Sequence, residues 1–162
     1  MLRYAATLGD TEAREVEAVL SAYEIKAVHS AEPTAGAHDL MRAWHDRGRP
    51  LAIVSNNSTA AVTAYLRRHD LHSITDYVSA RNGPQIDQLK PSPQFINQAL
   101  DHLSTSASRA LLVGDSGTDI RASRAAKVIA IGYANKVAKL TSLKDGAACL
   151  VTSMRLQAWL PI

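Results

Sequence analysis

Leu111-Leu112-Val113-Gly114-Asp115-Ser116-Gly117-Thr118-Asp119-Ile120 is an apolar run closed by Gly-Asp and followed by a short polar turn. Consecutive apolar residues ahead of Gly-Asp read as the end of a buried parallel strand. Asp115 then stands at the strand's carboxyl end, where open α/β sheets gather their ligands. Residues 116–119 fit the first turn of a following helix, so Asp115 and Asp119 converge on one point. Neighbouring carboxylates repel each other and call for a compensating cation. Hard oxygen donors suit Mg²⁺, which takes one or two protein carboxylates and keeps several waters. The same residues also satisfy a plain helix cap followed by a solvated carboxylate.

On both sides of this stretch, strand-like and helix-like segments alternate. Residues 51–54 form a short apolar strand, 58–69 a helix, and 77–79 a second, weaker strand. Residues 81–93, with Gly83, Pro84, Pro91 and Pro93, form a loop. A helix over 95–103 leads into the strand 110–113, and 120–126 is helical. A strand at 128–131, a helix at 136–143 and a last strand at 150–151 precede a closing turn at 154–160. Such alternation is the signature of a parallel sheet wound with helices. Upstream, residues 2–8 form a short helical piece closed by Gly9. Asp10 or Thr11 caps the next helix, whose first turn carries Glu12 and Glu15. Val16, Val19, Leu20, Tyr23 and Ala27 give that helix one apolar face. A loop at 30–36 separates it from a helix at 38–47 that buries Leu40, Met41 and Trp44.

The chain has 162 residues, 46% apolar and 20% charged, enough for one domain with a sizeable core. The net charge of +3 is scattered among acids rather than clustered with aromatics, which argues against nucleic acid as a partner. No apolar run approaches the ~18 residues of a membrane span. The amino-terminal residues lack the apolar core of a secretory signal. The single cysteine, Cys149, excludes an internal disulfide and suits a reducing compartment. It lies in an Ala-Ala-Cys-Leu-Val run that predicts a buried, inert thiol. The cytoplasm is the expected compartment. Of the six histidines only His69 and His72 have paired spacing; they flank a turn and read as surface residues. Trp44 and Trp159 read as core or interface anchors.

Two further stretches fall at positions equivalent to Asp115 in the alternation. Ser55-Asn56-Asn57-Ser58 follows the first strand, and a hydroxyl with free N–H groups at a helix entry makes a phosphate cradle. A simple cap by Ser55 or Asn57 is the alternative. Lys90 precedes Pro91 in the long loop, where an ammonium can neutralise a phosphate or the carboxylate pair; a solvated lysine is the alternative.

The order strand-Ser-Asn-Asn, Lys-Pro, strand-Gly-Asp-x-x-x-Asp resembles the haloacid dehalogenase superfamily, in its phosphatase-like members, over residues 37–153. The resemblance implies a doubly wound, mostly parallel Rossmann-like α/β sheet. It implies that Ser55 binds a transferring phosphoryl group with help from Asn56, and that Lys90 stabilises the charge developing on it. Asp115 would bind Mg²⁺, and Asp119 would bind it or orient its water and Lys90. The ligand class is a small phosphorylated molecule. Residues 1–32 resemble the remnant of a helical cap, which leaves 33–162 as the α/β core.

One departure from the family pattern changes what is expected of the chain. The family opens with a strand ending Asp-x-Asp-x-Thr, whose first Asp attacks phosphorus and whose second acts as acid and base. This chain has no such stretch. Asp10-Thr11-Glu12 is the nearest match, with Asp10 as a degenerate nucleophile or simply a helix start. The missing strand belongs in mid-sheet, so its absence predicts two unpaired edges. Rearranged pairing, a segment swapped from another copy, a partner chain, or truncation of a longer protein would each account for it. The expectation is therefore a phosphatase-like chain, ancestrally a Mg²⁺-dependent phosphate monoester hydrolase, with little or no turnover. The alternative is a non-catalytic phosphate-binding or interaction module, such as a homodimer sealed through the open sheet. A phosphoacceptor domain like bacterial response regulators ranks last, because its Asp pair comes early and its lysine late.

Overall fold

The structure is a computed structural model that describes residues 2–5, 7 and 9–155. The helices are α1 (Leu2–Ala5), α2 (Asp10–Val28), α3 (Ala37–His45), α4 (Thr59–Arg68), α5 (Gln94–His102), α6 (Gly117–Ala125) and α7 (Val137–Lys144). They alternate with strands β1 (Ala52–Ser58), β2 (Tyr77–Arg81), β3 (Leu111–Gly114), β4 (Ile129–Tyr133) and β5 (Cys149–Val151). Every pairing is parallel, and the strands form two ladders, β1-β2 and β3-β4-β5. Among the described residues no strand pairs with both β1 and β3, so each has one edge without a ladder partner.

Side-chain packing joins the halves. Ile96 of α5, Ala122 and Ala126 of the α6 region and Val128 form a buried cluster, against which Val54 of β1 and Leu112 of β3 both pack. A second cluster, Ile120, Ala130, Ala134 and Leu143, fastens α6 and α7 to β4. Leu112 points into the core while its neighbours Leu111 and Val113 stay 41% and 39% exposed. Ile129, the register partner of Leu111, is 47% exposed on β4. The expectation of a buried strand is thus corrected, because among the described residues β3 is covered on one face and its alternate side chains point to the other.

Several local expectations shift for physical reasons. β1 continues through Asn56 to Ser58, with a register shift between Ser55 and Ser58. Ser58, rather than Ser55 or Asn57, therefore caps α4, accepting the Ala61 N–H at 3.3 Å. At the start of α2 the cap is Gly9 (φ 140°), without a side-chain bond from Asp10 or Thr11. The face of α2 also differs from the one expected: Val19 and Tyr23 are 54% and 67% exposed, and Ala13 is its one buried residue. Glu17 and Glu24, one and three turns on, share the inward face with Ala13 and meet a buried arginine. α2 packs directly on α4 and β1.

In α3, Leu40, Met41 and Trp44 are half-buried rather than buried. Trp44 donates from Nε1 to the Pro50 carbonyl at 2.9 Å, with Arg49 over its ring. His69 is half-buried against Tyr65 and His38, correcting its surface reading, whereas His72 is exposed. Cys149 is exposed because β5 is an edge strand, not the buried position expected. Trp159 and most of the expected closing turn lie outside the described residues. Among the described residues no helix is long and apolar enough to cross a membrane.

Candidate active site

At the carboxyl ends of β1 and β3 three separate stretches of sequence are tied together. Asn56 holds the Lys90 backbone at both ends of its amide: Oδ1 accepts the Lys90 N–H at 2.8 Å, and Nδ2 donates to the Lys90 carbonyl at 3.1 Å. That clamp aims the Lys90 side chain between the two ladders. Its ammonium donates to the Val54 carbonyl at 3.0 Å and pairs with Asp119 Oδ1 at 2.6 Å. Lys90 is therefore a polar bridge between the β1 and β3 halves.

Asp119 is fixed just as firmly from its other oxygen. Oδ2 accepts from the Ser116 hydroxyl at 2.6 Å, the Ser116 N–H at 3.0 Å and the Asp115 N–H at 3.2 Å. The Ser116 hydroxyl in turn accepts the Asp119 N–H at 3.2 Å, which completes a capping box at the start of α6. Gly114 permits this closeness: a Cβ there would stand 2.5 Å from the Asp119 Cβ. Burial pushes the Asp119 carboxyl upward, but the Lys90 ammonium beside it and the Ser116 hydrogen bonds outweigh that and hold it below its ordinary value.

Asp115 faces elsewhere. Its half-exposed carboxylate pairs with the ammonium of Lys139 in α7. Each carboxylate thus has its own lysine. Ser55 lies within β1, where its hydroxyl accepts the Asn57 N–H at 3.1 Å at the point where the register against β2 shifts. Asp10 opens α2 as an exposed residue and stands at no strand end.

A divalent cation can be tested against this donor set. Asp119 has both oxygens committed, and among the described residues there is no group of three or more His, Cys, Asp or Glu that could hold a metal. Asp115 alone offers a solvent-accessible hard oxygen, in competition with Lys139. That fits a largely hydrated ion held through one carboxylate, the mode Mg²⁺ favours.

Four residues of this region escaped the sequence reading. Arg81, at the end of β2, is 2% exposed. Its Nε donates to the Asn56 carbonyl at 3.0 Å, its Nη2 to both Glu24 carboxylate oxygens at 2.6 Å, and its Nη1 pairs with Glu17. Burial lowers its pKa from the ordinary value. The seven-residue spacing of Glu17 and Glu24 places both on one helical face and was the available signal. Lys139 carries no local signal at all, since only the packing of α7 beside β4 brings it to Asp115.

The model of the haloacid dehalogenase-like hydrolase family matches residues 1–133. A phosphoglycolate phosphatase of Aliivibrio fischeri is 34% identical over 89 residues, covering 54% of this chain and 38% of its own. The chain spans about half or less of the length of the first curated relatives it matches. CbbY of Rhodobacter sphaeroides, solved in complex with phosphate, superimposes with a TM-score of 0.69 at 26% identity, covering 81% of this chain and 59% of that one. A hydrolase of Pseudomonas syringae reaches a TM-score of 0.77 at 18% identity, over 94% of this chain and 69% of its own. With the motif order, the parallel α/β fold and the linked strand ends already in place, the family match over residues 1–133 makes the chain a member of the haloacid dehalogenase-like hydrolases.

Proposed function

We propose that this chain binds a small phosphate monoester at the β1 and β3 ends and turns it over slowly or not at all. The observation that carries this reading is the Lys90 ammonium, held between Val54 and Asp119 by the Asn56 clamp. A fixed cation at a strand end, beside a hydroxyl and the N–H groups of a helix entry, is a receptor for a phosphoryl group. In this reading Ser55 and Asn56 contact the phosphoryl oxygens, and Lys90 offsets their charge with Asp119 as its anchor. Asp115 would hold Mg²⁺, which when bound supplies further neutralisation of the phosphoryl oxygens. The low turnover follows from the absence, among the described residues, of a carboxylate that could attack phosphorus from a strand between β1 and β3. Phosphoglycolate phosphatases and a pyrophosphatase are among the chain's relatives, which supports a small phosphorylated ligand.

Calorimetric titration with inorganic phosphate, paired with an aryl-phosphate hydrolysis assay in Mg²⁺, tests both halves. The expected result is saturable phosphate binding that weakens at least about tenfold in Lys90→Ala, the loss of one charge-assisted contact. Hydrolysis should stay at background in the wild type and in Asp115→Asn alike. Hydrolysis that disappears in Asp115→Asn would overturn the low-turnover half, and lack of phosphate binding would overturn the receptor half.

The split sheet favours a second reading, in which another copy or a partner chain lends a strand to the free edges of β1 and β3. Light scattering of the eluting protein checks it: a stable assembly supports the shared sheet, and a monomer over the micromolar range excludes the homodimer.

A further inference from the structure

The inner face of α2 is held to the rest of the chain by acids more than by apolar burial. Ala13 is its one buried residue, whereas Glu17 and Glu24 both reach Arg81. Glu24 does more than pair: its carboxylate accepts from Arg81 Nη2 through both oxygens at 2.6 Å and from the Ser58 N–H at 2.7 Å. The Ser58 N–H opens the ten-residue helix α4, whose amino end attracts negative charge. A buried guanidinium together with a helix-entry N–H is a complete receptor for a carboxylate, and the glutamate carboxylate seated there shows what fits. The cluster also holds two carboxylates against one guanidinium, one negative charge more than pairing requires.

We propose that Arg81 and the Ser58 N–H form a carboxylate-binding site, occupied here by Glu24 with Glu17 beside it, which a small carboxylate ligand takes over when α2 lifts away. The site adjoins the phosphate receptor, because Arg81 Nε holds the Asn56 carbonyl while the Asn56 side chain holds Lys90. A ligand bearing both a phosphate and a carboxylate would span the two; that extension rests on the function proposed above, whereas the carboxylate site itself does not.

Thermal unfolding in malonate, without metal and against chloride at matched ionic strength, tests it. Glu17→Gln/Glu24→Gln should gain roughly 3–6 °C at ten times the dissociation constant, as site-specific binding to a chain of this size predicts. The wild type should gain less, and the same double variant with Arg81→Met added should gain nothing. If the double variant does not fold, Glu24→Gln alone should still shift more than the wild type. A double variant that responds no more than the wild type, or an Arg81→Met triple variant that responds equally, overturns the site. Lys90→Ala added to the double variant should keep the malonate shift while losing phosphate binding, so failure of one site is read separately from failure of the other.

Discussion

At the residue scale, Asp119 does the most with the fewest atoms, since its two oxygens join Lys90, Ser116 and the Asp115 backbone. Its carboxyl is held below the ordinary range, so the native state prefers it ionised. The stability this contributes is fully present above the unfolded-state carboxylate pKa and is lost as pH falls through the lower native value. The melting temperature of the wild type should therefore drop more steeply as pH falls below about 4 than that of Asp119→Asn, which starts lower at neutral pH. Gly114 is the companion residue. Gly114→Ala would force its methyl against the Asp119 Cβ and should cost about 1–3 kcal/mol in a denaturant titration, in line with overpacked interiors.

At the scale of single elements, the two helices that enter the site differ in how they are capped. α4 starts on a single Ser58 side-chain bond, whereas α6 starts on a reciprocal capping box between Ser116 and Asp119. Ser58→Ala should cost about 1 kcal/mol. Ser116→Ala should cost more, because it also removes a donor to the Asp119 carboxylate that anchors Lys90. Paired urea titrations of the two variants give the comparison, and equal losses would mean the box adds nothing. α2 belongs to the same scale: it reads as an amphipathic helix in sequence, yet its inward face is chosen by Arg81 rather than by Val19 and Tyr23.

For the whole molecule, the question is what unites two ladders that share no strand pairing. Ile96, 3% exposed, sits in the cluster that contacts Val54 on one side and Leu112 on the other. Ile96→Ala should cost about 2–5 kcal/mol, as large-to-small changes in a core do. Because the cluster serves both ladders, circular dichroism and tryptophan fluorescence should lose their signals in one coincident transition. Two separated transitions would show that the halves unfold independently.

The alternation of apolar runs with helical patterns is written locally, and so the order of strands and helices was legible without coordinates. So was the meeting of the Asn56, Lys90 and Asp119 stretches, because parallel winding brings successive strand termini to the same edge. Tertiary structure alone decided how those residues are partnered. The spacing of Asp115 and Asp119 names no partner for either: Lys90 arrives from a loop and Lys139 from α7, and each takes one carboxylate. Arg81 likewise drew its glutamates from a helix more than fifty residues away in the chain. Local periodicity can specify which face of an element is apolar; which charge meets which depends on contacts between segments far apart in sequence, and those exist only once the chain has folded.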